Sequence, residues 1–75
     1  MASRLVVTFE RDGERLVLSL VGPNAMVENY VVWRDWYTEG EHEARIIKMM
    51  MSERRVIKFF NRHCDKMIKA GWTEL

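Results

Sequence analysis

Cysteine, proline and glycine are all scarce in this chain, which holds one, one and four of them, and no apolar run is long. Each shortage excludes something. A lone cysteine, Cys64, cannot close an internal disulfide, so the fold has no covalent staple, and the sequence predicts a reducing, cytoplasmic setting. Without about 18 consecutive apolar residues there is no candidate membrane span, and the first residues lack a signal-peptide pattern. Four dispersed glycines make no phosphate-cradling loop. An excess of either charge is missing too, with 12 basic and 11 acidic residues giving a net of +1. Length is short as well. At 75 residues the chain reads as a single domain, 1–75, that buries only about 60–65% of its unfolded surface. A deep catalytic cleft, a dinucleotide-binding fold or two separate domains would need more chain.

The near-neutral total hides a division. Met1 to Glu43 holds four basic and eight acidic residues, a balance of −4. Ala44 to Leu75 holds eight basic and three acidic, a balance of +5. Such a split marks either a basic segment that meets an anionic partner or two halves that neutralise one another on folding.

Alternation dominates the N-terminal third. Leu5, Val7 and Phe9 share one face of a strand, Asp12-Gly13 suits the positive φ angles of a type I′ turn, and Glu14 to Val21 alternates again. A two-residue loop sets Phe9 opposite Leu16, Val7 opposite Leu18 and Leu5 opposite Leu20. It also pairs Glu10 with Arg15 and Arg11 with Glu14, two opposite-charge contacts that reinforce the register. The sequence therefore predicts a hairpin over 4–21, ended by Gly22-Pro23-Asn24 because proline cannot continue a central strand.

Tyr30 to Tyr37 is rich in β-branched and aromatic residues and makes a poor stripe at the helical period, which favours a strand. Thr38 to His42 reads as a polar loop, and Glu43 to Met51 as a returning strand, so a second hairpin is expected over 30–50. The alternative is a single hairpin followed by two or three helices. An amphipathic helix is predicted over 52–70. Ser52 serves as N-cap, Glu53 suits the positive end of the dipole, and Gly71 serves as the left-handed residue after the last turn, with Trp72 folding back on Met67. The expected fold is α+β, with a small antiparallel sheet covered on one face by the C-terminal helix.

At about 100° per residue, that helix gathers Val56, Ile57, Phe59, Phe60, His63, Cys64, Met67 and Ile68 in one arc. The opposite arc holds Arg54, Arg55, Lys58, Arg62, Lys66 and Lys69, interrupted by Asp65 alone. Arg54–Lys58, Lys58–Arg62 and Arg62–Lys66 are like-charge pairs at i,i+4, each costing a few tenths of a kcal/mol, about 0.2–0.5. Three readings compete for this arc. It is a solvated face balanced by acidic residues of the N-terminal half, a dock for an acidic protein surface, or a phosphate-binding face for nucleic acid. Membrane-surface binding is weaker, since the apolar arc is needed for the core.

Four aromatics crowd the third segment. On a strand, Tyr30 and Trp36 share one face, and Trp33 and Tyr37 the other, so a single helix cannot bury them all. Core packing is the ordinary role for such residues; an open sheet face with Trp anchors is the sharper one. Val6, Val17 and Val21 on the outer side of the first hairpin add to that second reading and hint at a homodimer.

Signals for chemistry are weak. His63 and Cys64 are sequence neighbours and point about 100° apart on a helix, a poor arrangement for a nucleophile and its base. Cys64 in the apolar arc reads as a small buried hydrophobe, and Met49-Met50-Met51 as gap-filling. No paired Cys or His spacing accompanies His42 or His63, so no metal site and no cofactor is expected. The sequence points away from an enzyme and toward a small regulator or inhibitor that occupies a macromolecular surface. By size alone, that class includes proteins of viruses and mobile elements. Arg55, Lys58, Arg62, Lys66 and Lys69 would supply the charge and Trp33 and Trp36 the anchors. The partner would be a protein with an acidic surface or, alternatively, a nucleic acid; a second copy meeting the outer sheet face is the structural variant.

Overall fold

In the computed structural model, which describes residues 4–23 and 28–75, the first hairpin forms from β1 (Arg4–Arg11) and β2 (Glu14–Val21) in the register predicted above. Asp12 at φ 48 and Gly13 at φ 80 both take positive φ, as a type I′ turn requires. Asn24, read as part of the break after this hairpin, lies outside the described residues.

The second hairpin is built from β3 (Tyr30–Thr38) and β4 (Glu41–Met50). This excludes the alternative of one hairpin followed by several helices. The expected polar loop shrinks to Glu39-Gly40, because Gly40 at φ 75 lets the chain reverse in two residues. Val32 pairs with Lys48 and Trp33 with Ile46, leaving Ile47 as the extra residue of a β-bulge. The bulge resets the alternation downstream: Lys48 and Met50 turn to the same side as Val32, and Met49 to the side of Trp33.

Helix α1 (Glu53–Lys69) follows at once. Ser52 caps it, its hydroxyl accepting from the Arg55 backbone N–H at 3.3 Å. At the far end Trp72 N–H donates to Met67 O and Gly71 N–H to Ile68 O, with Gly71 at φ 97, the Schellman pattern expected from the sequence. Arg11 seals this end. Its guanidinium donates to Ala70 O at 3.0 Å and lies 4.4 Å from the centre of the Trp72 ring.

One element was not expected. Thr73–Glu74 forms a short β5 antiparallel to β1, and Leu75 N–H donates to Thr8 O. The sheet order is β4-β3-β2-β1-β5. Because α1 departs from the β4 edge and returns at the β1 edge, it crosses the sheet and covers one face of it.

That face is the core. Phe9, Leu16, Leu18, Leu20 and Val32 from the sheet meet Val56 and Phe60 from the helix and Trp72 from beyond it, all essentially inaccessible. Each large side chain so buried contributes about 1.5–3 kcal/mol. Ile57, Phe59, Cys64 and Met67 pack partly buried around them. Two residues of the expected core lie at its margin: Leu5 and Ile68 are exposed, beyond the reach of one 17-residue helix over five strands. Of the three methionines only Met50 fills the core as expected; Met49 and Met51 are exposed.

Candidate binding surfaces

The cations of α1 stand where the helical period put them. Arg54, Arg55, Lys58, Arg62, Lys66 and Lys69 are all exposed. Among the described residues none of them makes an ion pair; the salt bridges present join Arg11 to Glu14, Arg15 to Glu10 and Arg45 to Glu43. Glu53 at the start of the helix is engaged elsewhere, accepting from the Tyr30 hydroxyl at 2.8 Å, a bond that raises the Tyr30 pKa. The like-charge rows at i,i+4 therefore remain uncompensated by the sheet.

Arg55, Lys58 and Arg62 line a shallow groove of about 250 Å³ between α1 and the β4 edge, together with Lys48, Met50 and Phe59. Lys48 Nζ sits 5.5 Å from the centre of the Phe59 ring, a cation–π contact that holds the ammonium beside the helix cations. Lys48 joins this site only because of the bulge at Ile47, so strand alternation alone could not reveal it. Lys66 and Lys69 extend the same stripe toward the C-terminal end, where cations also suit the helix dipole.

The two tryptophans proposed as anchors are separated. Trp36 lies on the helix side, partly buried against the core, edge-on to Trp72 at 6.2 Å and with the Arg34 guanidinium 5.7 Å from its ring. Trp33 lies on the face opposite α1. There the strands align Val6, Ser19, Trp33 and Ile46 in one cross-strand row and Arg4, Val21, Val31 and Met49 in the next, with Ser19 and Val31 buried. Val6, Trp33, Ile46 and Met49 are 50%, 36%, 44% and 49% exposed. Toward the two turns the open face becomes polar but self-satisfied. Arg15 pairs with Glu10 at 2.8 Å, His42 with Asp35 at 2.9 Å, and the His42 ring stacks on Tyr37 with centroids 4.3 Å apart.

The groups that could support chemistry are poorly disposed for it. Burial, followed by the nearby carboxylates of Glu74 and Asp65, pushes the Cys64 thiol pKa up, away from the thiolate a nucleophile needs. Burial, then Arg34 and Lys66, pushes the His63 pKa down, and its Nε2 is buried without a partner among the described residues. The His63 ring stacks on Phe59 at 5.9 Å. Among the described residues no three His, Cys, Asp or Glu side chains converge as a metal site would require, and no helix is long and apolar enough to cross a membrane.

Fold and surfaces together define a small α+β protein with one cationic helical face and one open apolar sheet face. No family model, curated protein or solved structure matches the chain.

Proposed function

We propose that the protein is a non-catalytic binding module that regulates or inhibits an anionic macromolecule by occupying its surface with α1. The observation that carries this reading is the set of six exposed cations on one helical stripe, without ion-pair partners among the described residues and extended across a groove by Lys48. Holding Arg54, Lys58, Arg62 and Lys66 at i,i+4 spacing costs stability in the free chain, and an anionic partner removes that cost on binding. Arg55, Lys58 and Arg62 form the centre of the contact, and Lys66 and Lys69 its continuation.

An acidic patch on another protein is the favoured partner. Glu39, Glu41 and Glu43 are exposed on and beside the β3–β4 turn, and Asp12 on the β1–β2 turn. These carboxylates repel a long polyanion over more of its length than they repel a bounded acidic surface. Nucleic acid is the second reading, favoured by the row Arg54, Lys58, Arg62 and Lys66, which winds gently around the helix in steps of about 6 Å along the axis.

Fluorescence polarisation separates the two. A labelled acidic peptide and labelled single- and double-stranded nucleic acids are titrated with the full chain from about 50 to about 300 mM salt. The expected result is binding of the acidic peptide that weakens with salt and is lost in a fold-verified Arg55→Glu, Arg62→Glu, Lys66→Glu variant. Tighter, steeply salt-dependent binding of nucleic acid promotes the second reading. Binding of either probe that survives the triple substitution overturns the role given to the helix.

A further inference from the structure

The open sheet face has a different chemistry from the helix stripe and calls for a different occupant. We infer that a second copy of this chain covers it, the two sheets packing face to face about a two-fold axis into a helix–sheet–sheet–helix dimer.

Charge is the first argument. On this face Glu10 and Arg15 form an ion pair at 2.8 Å, and Asp35 is hydrogen-bonded to His42 at 2.9 Å. A two-fold contact sets a surface against itself, so only a face with no excess of either sign can make one without repulsion. The α1 stripe, with six cations unpaired among the described residues, cannot. The open face meets the other requirement through four exposed apolar residues, Val6, Trp33, Ile46 and Met49, one of them aromatic, set around the buried Val31.

Area is the second. Four strands about 4.8 Å apart and about eight residues long at about 3.3 Å per residue give a flat footprint of roughly 500 Å². With the relief of the side chains added, this approaches the roughly 600 Å² per partner at which stable interfaces begin. It is about a tenth of the chain's 5520 Å² surface, the usual share for a small protein.

The edges supply the third. A sheet can also grow sideways, but β4 presents Glu41, Glu43, Arg45 and Lys48 and is bent by the bulge at Ile47, and β5 at the other edge is two residues long. Charges and the bulge block pairing along β4, and β5 shields Phe9 and Glu10 of β1, so the face is the larger surface left. Two sheets packed this way lie about 10 Å apart with their strands about 30° from parallel. The helices then lie on opposite outer sides. Resting on the function proposed above, the dimer is bivalent, with two cationic stripes facing away from each other that join two anionic surfaces.

Light scattering coupled to size exclusion, on the full chain without any partner, tests the dimer separately from anion binding. The expected mass is about 18 kDa, twice the 9.0 kDa of the chain, persisting at high salt because the contact is apolar. Trp33→Asp and, separately, Ile46→Asp should return the mass to 9.0 kDa with an unchanged circular dichroism spectrum, while Lys58→Glu leaves the dimer intact. Should both face variants fail to fold, dilution of the wild-type chain tests the same contact, through a falling mass and a tryptophan emission shift to longer wavelength as Trp33 meets water. A wild-type mass of 9.0 kDa at every concentration overturns the inference, as does an open-ended series of larger species or a dimer that survives both substitutions. A monomer that binds the anionic probes normally would refute the dimer and leave the proposed function standing.

Discussion

The two faces of the sheet are written in the same alternating code and carry similar numbers of apolar residues, yet they live in different surroundings. On the helix side Phe9, Leu18 and Val32 are sealed by Val56 and Phe60. On the other side Val6, Trp33, Ile46 and Met49 stand open. A half-buried antiparallel sheet ordinarily alternates apolar inside with polar outside. Here part of the second set, Val6, Trp33, Ile46 and Met49, is apolar and exposed. The helix seals one face, and the other keeps four apolar side chains exposed.

The largest expected effect lies on the sealed face. Leu18→Ala empties a fully buried site under α1 and should cost about 2–5 kcal/mol, a large part of the stability of so small a domain. The matching substitution on the open face, Ile46→Ala, should cost under about 1 kcal/mol when measured by urea denaturation at concentrations dilute enough to hold the chain monomeric. Equal costs would erase the difference between the faces and assign Ile46 to the core.

Next comes the helix stripe. Reversing three charges in Arg55→Glu, Arg62→Glu, Lys66→Glu should weaken an anionic probe on the order of a hundredfold, at about 1 kcal/mol for each exposed contact. Loss of less than about threefold would reduce the stripe to a solvated face.

A smaller effect is expected at the helix terminus. Gly71 holds φ 97, and a Cβ there would meet only Arg11 Cδ at 3.8 Å, so the space is adequate and the backbone alone objects. Gly71→Ala should cost about 1–2 kcal/mol in chemical denaturation, the strain of a left-handed L-residue. An unchanged midpoint would mean that the Trp72 turn holds by other contacts.

The smallest concerns pH. His63 has its pKa lowered below 6.5 by burial in the folded chain, so the unfolded chain binds more protons in that range. Its contribution to stability is present above 6.5 and is lost as pH falls through that value toward the depressed folded one. His63→Phe should shallow this acid-side decline in thermal unfolding. An identical decline in both proteins would place the acid sensitivity in other groups.

Much of this contrast was legible in the sequence, for particular reasons. Arg4 to Val21 declares its hairpin because alternation, the Asp12-Gly13 turn and two opposite-charge pairs agree on one register. The stripe from Arg54 to Lys69 is legible because a single helix sets the spacing of all its members. Trp33 and Trp36 could be assigned to opposite faces by parity, but which face the helix would cover decided their roles. Trp36 went to the core margin and Trp33 to the open face. What stayed hidden depends on tertiary pairing. The bulge at Ile47 has no local signature, and it alone brings Lys48 to Phe59 and turns Met49 outward. Strand β5 is too short to show a period, and forms because Gly71 and Trp72 return the chain alongside β1.

The central claim is that α1 keeps its cations unpaired for a partner, at the expense of its own stability. Lys58→Glu tests it most directly, since that change converts repulsion with Arg54 and with Arg62 into two attractive pairs at i,i+4. Urea denaturation and probe binding on the same samples should show a chain stabilised by about 1 kcal/mol and weakened in binding. A variant that is no more stable and binds as tightly as the wild type would contradict the claim.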